Sequence, residues 1–388
     1  MKQRYKIKHK GIDFVFKVIN FIGYSYQYLT LRFLFRRPLI KNPKKILTIQ
    51  LDKMGDVLLS TPAIKELKNN FPNAKIDVLV TDYSKEVLSL NPNLDKIIIY
   101  NSMLFFKKYR NFQQLMKNLG QISKLKKENY DAIIDLRADI RSIFIAWLIG
   151  GKNRISQDIR SGGFFLTHIV PYREIKHEAE RKLDIVRFIT RKRAEGRPRL
   201  EIYWLRKDEE YIDSLLQRYN IKNFIVIHPL TPWRPRAWPK ERFAKVADWI
   251  VENRDLDVIF VGPENEKEEI NKISSLIRAK ETRRVHNFAN LVTIKQLAAL
   301  IKRAKLFLGN DSGVMHIADA VEIPLIAIFG PQDPRRYSPI SQNSKIIYHK
   351  VDCSPCPQTK CNLKPSCMER IEVNEITQTI QMMLNQSI

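Results

Sequence analysis

The chain has 388 residues, 44% of them hydrophobic and 28% charged, a globular balance that excludes broad disorder and is long enough for two cored domains. Lysine and arginine number 67 against 41 aspartate and glutamate, a net charge of +26, which points to an anionic partner: nucleic acid, a phosphorylated substrate or an acidic membrane face. No apolar core precedes a small-residue cleavage site and no run reaches about 18 apolar residues, which excludes a cleavable secretory signal and a conventional membrane span.

Residues 1–45 read as a segment of their own. Lys2, Arg4, Lys6, Lys8 and Lys10 open it and Arg36, Arg37, Lys41, Lys44 and Lys45 close it, around the aromatic-rich, acid-poor stretch Ile12–Phe35. An aromatic helix with basic flanks lies flat in a lipid interface beside anionic headgroups; packing on the protein's own core is the alternative. Residues 46–205 then alternate strand and helix. Strand Ile46–Leu51 leads through Asp52–Asp56 to a helix from Val57 to Asn70, followed by strands at Lys75–Val80, Lys96–Tyr100 and Ala132–Leu136 and helices at Tyr109–Glu128 and Ile140–Leu148. The polar stretch Arg191–Pro198, followed by the helix Asp208–Tyr219, marks the domain boundary.

Residues 206–388 repeat the alternation. Strand Asn223–His228 leads through a proline-rich loop to the helix Glu241–Glu252 and strand Asp257–Val261. Helices Glu266–Arg278 and Ile294–Ala304, strand Leu306–Gly309, helix Gly313–Ala320 and strand Pro324–Phe329 follow, with a terminal helix after a cysteine-rich segment. Two βαβ series predict an α/β molecule of two Rossmann-like, doubly wound domains facing across a cleft, with ligands at the carboxyl ends of the strands.

Four strand-end loops are candidates for chemistry. Asp56, after Gly55, stands where a general base would face a ligand, or caps the next helix. The block Gly309-Asn310-Asp311-Ser312-Gly313-Val314-Met315-His316 joins a strand to a helix start whose amides form a phosphate cradle, with Ser312 adding a hydroxyl and His316 one turn on. Alternatively Asp311 or Ser312 is merely the helix cap and His316 a buried core histidine. In the loop Thr231–Pro239, Arg234 and Arg236 on a proline-stiffened backbone either reach a phosphate or are solvated, with Trp238 filling a core gap. Glu264, after Gly262-Pro263, either takes a ribose hydroxyl pair or is solvated.

Absent motifs narrow the reaction class. There is no G-x-x-x-x-G-K-[ST], no H-E-x-x-H and no G-x-G-x-x-G after a strand, which disfavours ATPases, metalloproteases and ordinary dehydrogenases. Asp255-Leu256-Asp257 precedes its strand, at the wrong end of the sheet for a ligand. Cys353, Cys356, Cys361 and Cys367 read C-x2-C-x4-C-x5-C, close enough for structural zinc or two disulfides clipping the C-terminal segment. Their confinement to one stretch fits a reducing cytoplasm better than a secreted scaffold. A nucleic-acid-binding protein fits the charge, but that charge is spread along the chain and no RNA- or DNA-binding module is present.

Taken together, Ile46–Pro62 (ILTIQLDKMGDVLLSTP), the stretch His228–Ala244 and Gly309–Pro334 (GNDSGVMHIADAVEIPLIAIFGPQDP) resemble glycosyltransferase family 9, the heptosyltransferases of lipopolysaccharide inner-core assembly. The resemblance implies a GT-B fold, a nucleotide-diphosphate-heptose donor (ADP-heptose), inversion at the anomeric carbon and no metal or other cofactor in catalysis. It assigns Asp56 as base and Thr231, Arg234, Arg236, Glu264, Asp311, Ser312, Gly313 and His316 to the donor; Arg236 stands where the family commonly has lysine. Lys53, where the family often has a small residue, and Arg137 and Arg141, after the strand Ala132–Leu136, are candidates for the acceptor. The partners implied are the donor, a lipid A/core oligosaccharide acceptor and an anionic membrane surface, with no nucleic acid, on the cytosolic face of the inner membrane. Another GT-B enzyme, a UDP-sugar transferase or an epimerase, is the alternative, because fold does not set the substrate.

Overall fold

The computed structural model describes residues 17–25, 38–101, 111–159, 161–172, 175–191, 196–278, 283–356, 360–363 and 366–386. The chain divides into two compact units between Pro198 and Arg199.

The first unit is built on β1 (Lys45–Gln50), β2 (Lys75–Val80), β3 (Lys96–Ile99), β4 (Ala132–Asp135), β5 (Asn153–Gln157) and β6 (His168–Val170). They form one sheet in the order β3-β2-β1-β4-β5-β6, every pairing parallel. A parallel sheet needs helices on both faces, so its central strands are apolar almost without interruption. Successive residues of β1 serve opposite layers. Ile46 packs with Leu67, Leu183 and Val186, while Leu47 and Ile49 pack with Leu125, Ile145 and Tyr130.

The second unit repeats the plan with β7 (Phe224–His228), β8 (Asp257–Phe260), β9 (Val285–Asn287), β10 (Leu306–Asn310), β11 (Leu325–Phe329) and β12 (Ser344–Tyr348). The order is β12-β11-β10-β7-β8-β9, again wholly parallel. In both sheets the chain runs three strands one way and then returns to the far side of the first. The order therefore reverses between β1 and β4 and between β7 and β10. At such a switch point the two flanking connections diverge to opposite faces and leave a crevice beyond the strand ends.

The expected central strands and most helices are present, with differences that have physical reasons. The helix expected from Val57 to Asn70 is two, Met54–Leu58 and Thr61–Asn70, with Pro62 in the first turn of the second, where its missing N–H costs nothing. Strands β5, β6, β9 and β12 and the helix Glu178–Thr190 had no sequence expectation. Two of those strands have three residues, β5 is polar, and β12 is an edge. The helix buries Arg181 and Lys182, which interrupts its apolar period.

Of the aromatic N-terminal stretch, residues 17–25 are helical; most of Ile12–Phe35 and the basic residues 2–10, Arg36 and Arg37 lie outside the described residues. The helix docks on the first unit through Tyr24 Oη, which donates to Asp158 (2.8 Å), and Asn20, which accepts from Ser161 Oγ (2.8 Å). Phe21 and Ile22 stay exposed. Among the described residues no helix is long and apolar enough to cross a membrane.

Candidate active site

At the switch point of the first unit, β1 ends at Gln50 and the chain turns through Leu51–Lys53 into the short helix Met54–Leu58. Asp56 lies inside the first turn of that helix rather than at its N-cap, which is Lys53, so the capping alternative does not apply. Its backbone carbonyl accepts from Lys182 Nζ and from Gln50 Nε2 (3.3 Å). Its half-buried carboxylate has no hydrogen-bond partner among the described residues. Lys182 is fully buried; burial pulls its ammonium below the usual lysine range, and the neighbouring charge of Asp56 opposes that pull. The loop is held from a second side, because the carbonyl of Asp52 accepts from Ser84 Oγ (3.1 Å) and Thr81 Oγ1 (3.3 Å).

The Asp52 carboxyl is pushed up to about 7, first by burial and then by the negative charge of Asp56; Arg137, Lys182 and Arg181 pull the other way. Two acidic side chains thus share one small region whose cations come from beneath. Arg137 bonds Asp52 Oδ1 and the carbonyl of Leu51. Arg181 bonds Glu178 (2.6 Å), the carbonyl of Leu136 (2.9 Å) and Gln157 (3.2 Å). Arg137 therefore braces the loop, and Arg141 pairs with its own N-cap residue Asp139 at 2.7 Å. Lys53 is exposed.

The second switch point is of the opposite character. Asn310, the fully buried last residue of β10, accepts from the backbone N–H of Trp238 (3.1 Å) and donates to the carbonyl of Pro229 (2.7 Å). One side chain thereby pins both ends of the loop Pro229–Trp238. Trp238 fills the core against Phe243 and donates its indole N–H to the carbonyl of Ile371 (3.0 Å). Thus anchored, the loop places Arg236 3.1 Å from Asp311 Oδ2 and 3.0 Å from Gln332 Oε1, with its guanidinium over the Trp233 ring. Arg234 is exposed and Thr231 half-buried.

Ser312 is the N-cap of the helix Gly313–Ala320, its Oγ accepting from the Met315 amide (3.5 Å). The amides of Gly313 and Val314 have no carbonyl a turn earlier to bind and carry the positive end of the helix dipole. His316 is buried in the same turn. Asp311, Ser312, Gly313, His316 and Arg236 are thus brought together. Glu264 is exposed in a single 3-10 turn. The carboxylate that enters this site is Glu266, whose Oε2 lies 3.1 Å from His228 Nε2, while His228 Nδ1 lies 3.1 Å from Ser312 Oγ. Neither His228 nor Glu266 was a sequence candidate. The available signal was a histidine closing a β-branched strand at the switch point.

The four cysteines are free thiols, which corrects the disulfide alternative. Among the described residues no three His, Cys, Asp or Glu side chains converge to hold a metal ion. Packing secures the segment: Cys367, Met368 and Ile371 join the core cluster of Trp238 and Phe243, and burial pushes the Cys367 thiol up.

The chain matches known proteins over most of its length. It is 30% identical over 300 residues to lipopolysaccharide heptosyltransferase 3 of Escherichia coli, covering 74% of this chain and 84% of that one. Its fold matches the crystal structure of a family 9 glycosyl transferase from Veillonella parvula with a TM-score of 0.76 at 19% identity, over 89% of this chain and 98% of that one. It also matches E. coli heptosyltransferase WaaC with ADP-2-deoxy-2-fluoro heptose with a TM-score of 0.68 at 17% identity, over 87% and 99% of the two chains. Its two parallel six-stranded sheets match the GT-B architecture of the heptosyltransferase structures. The family model for glycosyltransferase family 9 (heptosyltransferase) matches residues 119–366, and the chain belongs to that family of transferases.

Proposed function

We propose that the protein transfers a heptose from ADP-heptose to the inner core of lipopolysaccharide, inverting the anomeric carbon and needing no metal. The observation that carries this reading is the contrast of opposite sites on like scaffolds: at the first switch point a carboxylate without a hydrogen-bond partner among the described residues, and cationic and amide donors at the second. The first unit takes the acceptor and the second the donor. Asp56 removes the proton of an acceptor hydroxyl, and its oxygen attacks the anomeric carbon opposite the diphosphate. That face of attack inverts the centre as the bond to the diphosphate breaks and its electron pair leaves with ADP. A positioned base contributes about 10²–10⁴-fold. The amides of Gly313 and Val314, with Arg236 and Arg234, meet the charge that develops on the leaving group. Thr231, Asp311, His316 and Glu264 complete the proposed donor contacts. Lys53 and Arg141 are the cations proposed to meet acidic groups of the acceptor, and Arg137 acts through Asp52. ADP-heptose is chosen because ADP-2-deoxy-2-fluoro heptose is bound by WaaC.

The acceptor is a lipid, so we place the enzyme at the cytosolic face of the inner membrane. Besides Phe21 and Ile22, the helix Phe112–Lys127 supports this. It has no acidic residue and includes Lys117, Lys124, Lys126 and Lys127. It exposes Phe112 (74%), Leu115 (37%), Met116 (52%) and Leu119 (49%), spaced as one stripe. An apolar stripe with basic neighbours suits an anionic lipid surface. The experiment is transfer from ADP-heptose, in excess chelator, to a heptose-deficient acceptor embedded in anionic vesicles. Turnover in chelator, with the protein sedimenting with the vesicles, is expected. Dependence on UDP- or GDP-linked sugar, or on added metal, contradicts the donor reading; protein left in the supernatant contradicts the membrane reading.

A further inference from the structure

We propose that Glu266, His228 and Ser312 form a proton-coupled latch, so that the site closes on a diphosphate by taking up one proton on His228. The inference rests on the donor-site reading above and extends it to the regulation of that site.

Hydrogen-bond counting carries the argument. An ionised carboxylate only accepts, so Glu266, 3.1 Å from His228 Nε2, holds a hydrogen on that nitrogen. A neutral imidazole has only one such hydrogen, which leaves Nδ1 bare. The partner of Nδ1 at 3.1 Å is Ser312 Oγ, whose single hydrogen must then point at the ring. Since the same Oγ accepts from the Met315 amide, Ser312 turns a lone pair toward an approaching anion, and the two repel. Once His228 takes up a proton, Nδ1–H donates to Oγ. Both acceptor positions of Oγ are then filled, by His228 and by Met315, and its hydrogen is released to the phosphate. One proton thus converts Ser312 from a repelling group into a donor and adds a positive charge behind it.

The surroundings suit this role. His228 closes β7, Glu266 comes from the segment after β8, and Ser312 starts the helix after β10, so three elements meet on one line. Among the described residues, Asp311, beside Ser312, is paired with Arg236 at 3.1 Å; His316 is buried in the first turn of the same helix. Glu266 is therefore the carboxylate that supports the imidazolium. Gly262 admits it: a Cβ there would stand 2.7 Å from Glu266 Oε2. The proton comes from solvent as the diphosphate enters and returns as ADP departs, so it cancels over a turnover.

The test is calorimetric titration of the full chain with ADP near neutral pH in HEPES and in Tris, whose ionisation heats differ, so that the change in observed heat counts protons. Wild-type protein is expected to take up a substantial fraction of one proton per ADP. In His228→Asn and in Glu266→Gln, that uptake falls to what ADP alone contributes. In Glu266→Gln the pH dependence of ADP affinity also flattens, because a neutral partner lets the ring place its hydrogen on Nδ1 without protonation. Thermal melting of each variant identifies one that fails to fold, and the other then decides. Wild-type binding without proton uptake, or equal uptake in a folded variant, overturns the latch and leaves the donor site standing. No ADP binding by wild-type protein overturns both.

Discussion

The two units share a strand order and differ in what they place where that order reverses. At β1 and β4 the side chains offered are carboxylates, Asp52 and Asp56, and the buried cations Lys182 and Arg181 and the half-buried Arg137 stand behind them. At β7 and β10 the arrangement is inverted: helix amides and Arg236 are the groups offered, and the carboxylates Asp311 and Glu266 stand behind. The difference teaches that the scaffold supplies only a position. On the proposed reading, one backing suits that position to a base and the other suits it to an anion receptor. In each case a buried residue holds the loop through its backbone, Lys182 in the first unit and Asn310 in the second.

Removing the donor face of the second unit is the stronger way to break this comparison. Arg236→Ala is expected to weaken ADP about 10–100-fold, the 1.5–3 kcal/mol typical of hydrogen bonds to charged groups, while Arg236→Lys restores part of it. Calorimetric titration reads the change, and unaltered affinity places the diphosphate elsewhere. A smaller effect sharpens the first unit. The Asp52 carboxyl is raised in the folded state to about 7, so the folded protein binds more protons than the unfolded chain between the ordinary carboxylate range and neutrality. Its contribution to stability is therefore present at acid pH and lost as pH rises through about 7. Asp52→Asn should make the melting temperature fall less steeply with pH over that window. An unchanged slope shows that Asp52 is not held by burial.

Much of this was legible in the sequence because the informative parts are local. The runs Ile46–Leu51, Phe224–His228 and Leu306–Asn310 are apolar since a parallel strand is covered on both faces, and the glycines beside them mark turns at strand ends. The Asp311–His316 block and Arg236 could be placed for the same reason. The residues that escaped notice act over distance. Lys182 reaches Asp56 across 126 positions, and a lysine on an amphipathic helix ordinarily reads as solvated. Glu266 carries no signal of its own, because Gly262-Pro263 marks where the turn begins and not which glutamate folds back; Glu264, exposed in the same turn, stays a proposed donor contact. His228 looked like a strand ending until Ser312, 84 positions away, stood beside it.

The most direct measurement is steady-state transfer from ADP-heptose by Asp56→Asn, paired with ADP titration of the same variant. If one unit carries the base and the other the anion site, turnover falls about 10²–10⁴-fold while ADP affinity stays within a factor of about three. Turnover near the wild-type level, or a loss explained by weakened ADP binding, contradicts the division of labour between the two switch points.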